Sequence, residues 1–191
     1  MESNWPEFYA NRLGRSYLYY CKERYKPFID AIWNNTRREA NVIEFGCGTG
    51  TITQCLLERA GRQHHLLIDK DATMLDMAKF RLREHGTKNI GWLQADIREL
   101  ISIVSYKSDM IHSHGVLEHY SDFDIVRIVN VCLAVAPIQV HYVPGLYPSP
   151  SYGDERLLPV EYWQHLLPSA EITTFNDGLD YCIVVKNASA V

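Results

Sequence analysis

The sequence is short of several features, and each shortage removes a class of function. Nowhere does it approach the roughly eighteen consecutive apolar residues that a membrane-spanning helix needs, so no membrane insertion is expected. Basic residues hardly cluster: Arg12 with Arg15, and Arg37 with Arg38, are too few to track a phosphate backbone. A net charge of −4 and a pI near 6.0 argue in the same direction, so no nucleic-acid partner is expected. The start, Met1–Trp5, has neither a basic n-region nor an apolar h-region, and no secretory signal peptide is expected. The five cysteines (Cys21, Cys47, Cys55, Cys132 and Cys182) include no Cys-x-x-Cys pair. An odd number without a secretion signal reads as reduced thiols in a cytoplasmic protein. There is no internal repeat and no low-complexity tract.

What is present is the composition of a globular chain. At 191 residues, 47% hydrophobic and 22% charged, it can bury a full core, and a single domain over 1–191 is the natural reading. The chain is organised around Val42-Ile43-Glu44-Phe45-Gly46-Cys47-Gly48-Thr49-Gly50-Thr51. An apolar run able to serve as a buried parallel strand stops at an acid and three glycines, and Ile52, Leu56 and Leu57 then recur at helical spacing. Such a strand, glycine turn and helix present bare backbone at the carboxyl end of a sheet, where open α/β proteins bind ligands. The dinucleotide fingerprint G-x-G-x-x-G/A would need a small last residue where Thr51 stands. Glu44 would sit badly beside a diphosphate and suits a ligand carrying an amine.

The glycine stretch resembles motif I, E/D-x-G-x-G-x-G, of the class I S-adenosylmethionine-dependent methyltransferases. The resemblance implies a Rossmann-like, doubly wound, seven-stranded α/β sheet, mostly parallel, with one antiparallel strand near the C-terminus. It implies S-adenosylmethionine as methyl donor and S-adenosylhomocysteine as product. The donor would meet Glu44 and the backbone of Gly46, Cys47, Gly48 and Gly50. A second strand, His64–Asp69, ends about twenty residues past the turn, the distance at which a carboxylate accepts both ribose hydroxyls; Asp69, with neighbouring Lys70, takes that place. Asp71 reads as the N-cap of the next helix. A third strand runs from Asn89 to Ile97, and by resemblance Asp96 meets the adenine amino group and Ile97 the ring; a short helical stretch follows near Arg98 to Val104. The segment Ser108–His119 looks like the family's fourth strand and its turn, with Ser113 and His114 offering backbone to the donor's methionine part.

His112 and His114 depart from the family's usual residues. On a strand they share a face, so a metal would need Glu118 or His119 as a further ligand; the metal-free reading is preferred and no metal is expected. His114, at the strand mouth, is the first candidate base and His119 the second, since imidazole accepts a proton near neutral pH.

Two aromatic-rich segments flank the core 40–187: a helical leader over 1–38 and a Pro/Tyr-rich loop over 145–159. Both read as lids, with Arg12, Arg15 and Tyr20 facing the donor carboxylate and Tyr147, Tyr152 and Arg156 facing an acceptor. Closing strands at 172–175 and 181–186 are joined by turn chemistry at Asn176-Asp177-Gly178. The chain lacks an N/D-P-P-Y/F motif and a Pro-Cys pair after strand four, which disfavours nucleic-acid and glutamine amino-methylation and cytosine C5 chemistry. The expected reaction is direct displacement of a methyl group onto an oxygen or nitrogen of a small molecule. The alternatives are a non-catalytic binding module on the same fold and, more remotely, an NAD-dependent oxidoreductase.

Overall fold

A computed structural model describes residues 4–60, 62–102, 107–149 and 152–187. Pro150 and Ser151 of the proposed lid loop, and the end of the helical stretch at Ile103 and Val104, lie outside the described residues.

The leader folds as three helices, α1 (Trp5–Tyr9), α2 (Arg15–Arg24) and α3 (Lys26–Asn34), with Pro27 in the first turn of α3, where its missing N–H costs nothing. The core then alternates β1 (Asn41–Phe45), α4 (Thr51–Ala60), β2 (His64–Asp69), α5 (Ala72–Leu82), β3 (Ile90–Gln94), β4 (Met110–His114), α6 (Asp122–Val135) and β5 (Ile138–Pro144). It closes with α7 (Val160–Leu166), β6 (Glu171–Phe175) and β7 (Asp180–Lys186). Asp71 caps α5, its carboxylate accepting from the backbone N–H of Thr73 and Met74.

The strands form one seven-stranded sheet in the order β3-β2-β1-β4-β5-β7-β6. The pairs among β1 to β5 are parallel, and β7 runs antiparallel to both β5 and β6. The order reverses at β1, which pairs with β2 on one side and β4 on the other. This switch point opens the crevice in which doubly wound sheets bind ligands.

Alternation of side chains across the sheet divides the core in two. Phe45, Ile111, Val143 and Ile183 pack against α6 and α7, around the fully buried Trp163. Met110, Val140 and Cys182 face the other way, onto Phe28 and Ile32 of α3 and Leu56 of α4. The leader therefore covers the β5 and β7 part of that side beside α4, and truncating it would expose that core.

Candidate active site

The turn after β1 takes left-handed backbone at Gly46 (φ 56°), Gly48 (φ 53°) and Gly50 (φ 68°). At Gly46 a side chain is doubly excluded, since a Cβ would stand 2.5 Å from Val116 Cγ2. Gly46→Ala is expected to destabilise the fold by about 2–4 kcal/mol, from left-handed strain plus overpacking. Thermal unfolding checks this, and an unchanged melting temperature would show that the turn relaxes freely.

Asp69, at the end of β2, holds this turn in place. Its Oδ2 accepts from the N–H of Gly48 at 2.9 Å and its Oδ1 from the N–H of Asp71 at 3.0 Å. Burial raises its carboxyl above the ordinary carboxylate range, against those two hydrogen bonds. Each oxygen keeps a lone pair for an outside donor.

A cavity of about 1180 Å³ opens at the switch point. Its inner wall is formed by Gly46, Gly48, Asp69, Lys70 and Ile97, and its outer part by His114, His119 and aromatic side chains from the leader and the loop after β5. Of the residues singled out from sequence, these seven stand together. Arg12, Tyr20, Tyr147 and Tyr152 join them on the wall, while Arg15 and Arg156 do not.

The remaining candidates are not part of that wall. Glu44 is fully buried, its carboxylate accepting from the Thr53 hydroxyl of α4. Burial pushes its pKa up to about 8. Cys47 and Gly50 belong to the turn itself, and burial holds the Cys47 thiol well above its ordinary range, which disqualifies it as a nucleophile. Ser113 turns its hydroxyl to the opposite face, 2.8 Å from His141 Nδ1. Asp96 is engaged by Arg98, which binds it through Nε at 3.0 Å and Nη2 at 2.6 Å and holds its carboxyl below the usual range.

His114 is wedged between two tyrosines. Tyr142 stacks on it with centroids 4.4 Å apart, and Tyr25 meets it edge-on at 4.2 Å. Its Nε2 is buried without a hydrogen-bond partner, and burial lowers its pKa to about 4. His112 shares its face, as strand alternation requires, but packs under Phe28 away from the wall. His119 Nδ1 pairs with Asp154 Oδ1 at 2.8 Å, and the Trp5 ring meets His119 edge-on at 5.6 Å.

Two features escaped sequence reading. Asp180, fully buried at the start of β7, accepts from Tyr142 Oη and Arg24 Nη2, both at 2.8 Å, and from Tyr147 Oη, tying leader, sheet and loop together. Glu118, His119 and Glu155 converge at the cavity wall, their ligand atoms all within 4.8 Å of one another. Neither signal is local. Asp180 opens a strand just after a turn, as many acids do, and Glu155 comes from a loop 37 residues beyond Glu118.

The seven-stranded order, the glycine turn at its switch point and a cavity floored by a strand-end carboxylate define the class I methyltransferase architecture. Comparison with known proteins places the chain. Residues 42–136 match a family model described as a methyltransferase domain, and the chain belongs to the class I S-adenosylmethionine-dependent methyltransferases. It is 24% identical over 119 residues to malonyl-[acyl-carrier protein] O-methyltransferase of Acetivibrio thermocellus, covering 61% of this chain and 40% of that protein. It is 28% identical over 74 residues to tRNA (guanine-N(7)-)-methyltransferase of Mycoplasma mobile, covering 39% of this chain and 37% of that protein. The chain thus spans well under half the length of either curated relative. Among solved structures, magnesium protoporphyrin IX methyltransferase from Synechocystis PCC 6803 with bound S-adenosylmethionine shares the fold at TM-score 0.65 and 13% identity, over 87% of this chain and 79% of that one. Among the described residues no helix is long and apolar enough to cross a membrane.

Proposed function

We propose that this chain transfers the methyl group of S-adenosylmethionine to an oxygen or nitrogen of a small, partly apolar acceptor. The observation that carries this reading is the continuous cavity running from the glycine turn to the aromatic chamber. Its volume, about 1180 Å³, exceeds what one drug-sized ligand usually occupies, leaving room for an acceptor beside the donor. The residues fit the donor: an acidic, glycine-floored pocket suits an amine and a sulfonium, and Asp69 retains lone pairs for the two ribose hydroxyls. Gly46, Cys47, Gly48 and Gly50 would supply backbone to the methionine and ribose parts, and Lys70 would flank the ribose. Ser113 would offer its backbone to the methionine part, and Glu44, protonated near neutral pH, would brace the turn from behind through the Thr53 hydroxyl. Ile97 would lie against the adenine, with Asp96 reaching the amino group once Arg98 swings aside.

The chamber supports a small acceptor. Trp5 and Phe8 of α1 meet Tyr152 of the loop, with centroids 5.1 and 4.6 Å apart, closing its roof from two sides as lids. The porphyrin methyltransferase named above works on an acceptor of this kind, whereas the two curated relatives are named for acceptors on a carrier protein and on tRNA.

The donor supplies a methyl carbon already activated by the sulfonium, so the protein's work is alignment and exclusion of water. As the acceptor's lone pair forms the new bond, the carbon–sulfur bond breaks and its electrons stay on sulfur. His114 Nε2, neutral and without a partner, takes the proton released by the acceptor. On an oxygen acceptor a base with a pKa near 4 suffices, because the oxonium proton becomes strongly acidic as the methyl group arrives, whereas a neutral amine acceptor needs no base for the transfer. His119, held by Asp154, positions the acceptor from the opposite wall.

The test is methyl transfer from labelled donor to a panel of small aromatic and hydroxylated compounds, tRNA and acyl-carrier protein. Transfer confined to the macromolecules would overturn the acceptor assignment. On the best acceptor, His114→Phe, which keeps a ring between Tyr25 and Tyr142, is expected to lower kcat by about 100-fold with donor affinity unchanged. An unaltered kcat would remove His114 from the chemistry.

A further inference from the structure

We propose that Glu118, His119 and Glu155 form a binding site for one divalent metal ion of the Mn2+ type on the wall of the methyl-transfer cavity. The inference rests on the methyltransferase reading only for its purpose. The site itself stands on side-chain geometry.

Glu118 is the first observation. It has no exposed surface, and neither of its carboxylate oxygens has a hydrogen-bond partner. A carboxylate taken out of water without partners is costly, and a second carboxylate beside it raises the cost. Here the second is Glu155, and a shared cation between them answers both penalties.

His119 is the second observation. A carboxylate can only accept, so in the 2.8 Å contact Nδ1 donates its N–H to Asp154 Oδ1, and Nε2 is the nitrogen left to ligate. Metal-ligating histidines almost always hold their other N–H in this way, because the carboxylate orients the ring and makes its free nitrogen more basic. The outer carboxylate that would orient a ligating His119 is thus already in place.

The third observation is that the two halves of the set are locked together by backbone. The N–H of Arg156 donates to the carbonyl of Glu118 at 3.1 Å, setting neighbouring Glu155 against the turn after β4. The Arg156 guanidinium strengthens the link, donating to the Tyr120 carbonyl at 2.6 Å and to Asp122 Oδ1 at 2.7 Å. Preorganised ligands lose little entropy on binding a metal.

Two carboxylates and one imidazole form a mixed oxygen and nitrogen set, which suits Mn2+ better than the thiolate-seeking or all-oxygen ions. Three protein ligands leave positions open. Because all three residues line the cavity, an open position faces the acceptor, and a hydroxyl or carboxylate oxygen of that molecule would complete the shell.

The test is calorimetric titration of the chelator-treated full chain with MnCl2, alone and with S-adenosylhomocysteine present. One Mn2+ per chain is expected, and Glu118→Gln and Glu155→Gln should each weaken it by at least about tenfold. The same samples should bind S-adenosylhomocysteine within about twofold of wild type, which reports that they are folded. If Glu118→Gln fails to fold, the half-buried Glu155 and a His119→Gln variant carry the comparison. A wild-type protein that binds S-adenosylhomocysteine but not Mn2+, as two carboxyls sharing a proton would behave, overturns the proposal and leaves the methyltransferase reading intact. Mn2+ binding that survives all three substitutions overturns it as well. Failure to bind S-adenosylhomocysteine would fall on the donor site alone.

Discussion

Asp69→Ala is expected to weaken S-adenosylhomocysteine binding by about 100-fold in a calorimetric titration, which corresponds to two lost charge-assisted hydrogen bonds less some rebound solvation. The carboxylate has two tasks. Its inner lone pairs already receive the N–H groups of Gly48 and Asp71, at 2.9 and 3.0 Å, and so hold the glycine turn at the end of β2. Its outer lone pairs are the ones the ribose diol would use. Alanine removes both. Asp69→Asn separates shape from charge, because each carboxylate oxygen accepts from a backbone N–H and the amide NH2 must therefore face the N–H of either Gly48 or Asp71. Either orientation sets donor against donor, so the amide should bind almost as weakly as the alanine variant. Wild-type affinity in Asp69→Asn would show that the ribose is held elsewhere.

Glu44→Gln is expected to raise stability above pH 8 by several kcal/mol while changing it little near pH 4.5. Glu44 is fully buried, and burial, helped by the charge of Asp69 and opposed by the Thr53 hydroxyl, moves its pKa from 4.5 to about 8. Below pH 4.5 the carboxyl is protonated in folded and unfolded chains alike, and no penalty arises. Between 4.5 and 8 the unfolded chain releases the proton and the folded chain keeps it, so stability falls as pH rises. The fall levels off above 8, after a loss on the order of 5 kcal/mol. The buried histidines act on the other side. His65 and His141, lowered to about 4 by burial, are neutral when folded, so their contribution is lost as pH falls from 6.5 through 4. They titrate identically in both proteins. The difference in denaturation free energy between Glu44→Gln and wild type, followed from pH 4.5 to 9, therefore isolates Glu44. A flat difference would mean that the carboxylate is ionised and paired in the fold.

Most of the architecture was legible because its signals are local. The strand β2 runs from His64 to Asp69 as its apolar run and terminal acid suggested, and Asp71 caps α5 as its place before Ala-Thr-Met-Leu implied. The antiparallel final hairpin followed from Asn176-Asp177-Gly178, where Asn176 and Asp177 adopt φ of 50° and 57° and Gly178 81°. The same kind of reasoning singled out Asp69, which stands on the cavity wall, because a strand-end acid at a fixed distance from a glycine turn depends on chain length alone. It was less informative at Asp96, where a neighbour two residues on, Arg98, takes the carboxylate. At Glu44 strand parity settles the matter. The side chain shares the face of His112 and of α4, beneath the turn and behind the cavity wall.

By itself the sequence determined the order of elements, the left-handed glycine turn and the succession of strand-end acids, since each depends on backbone freedom, apolar period or spacing within a few turns of chain. Only the tertiary structure decided which lone pairs look into the cavity. It folded Tyr152 onto Trp5 and Phe8, buried Asp180 beneath Arg24, and set Glu155 beside Glu118 and His119. Those meetings join residues dozens of positions apart, and their energies come from desolvation and charge, which no short stretch of chain contains.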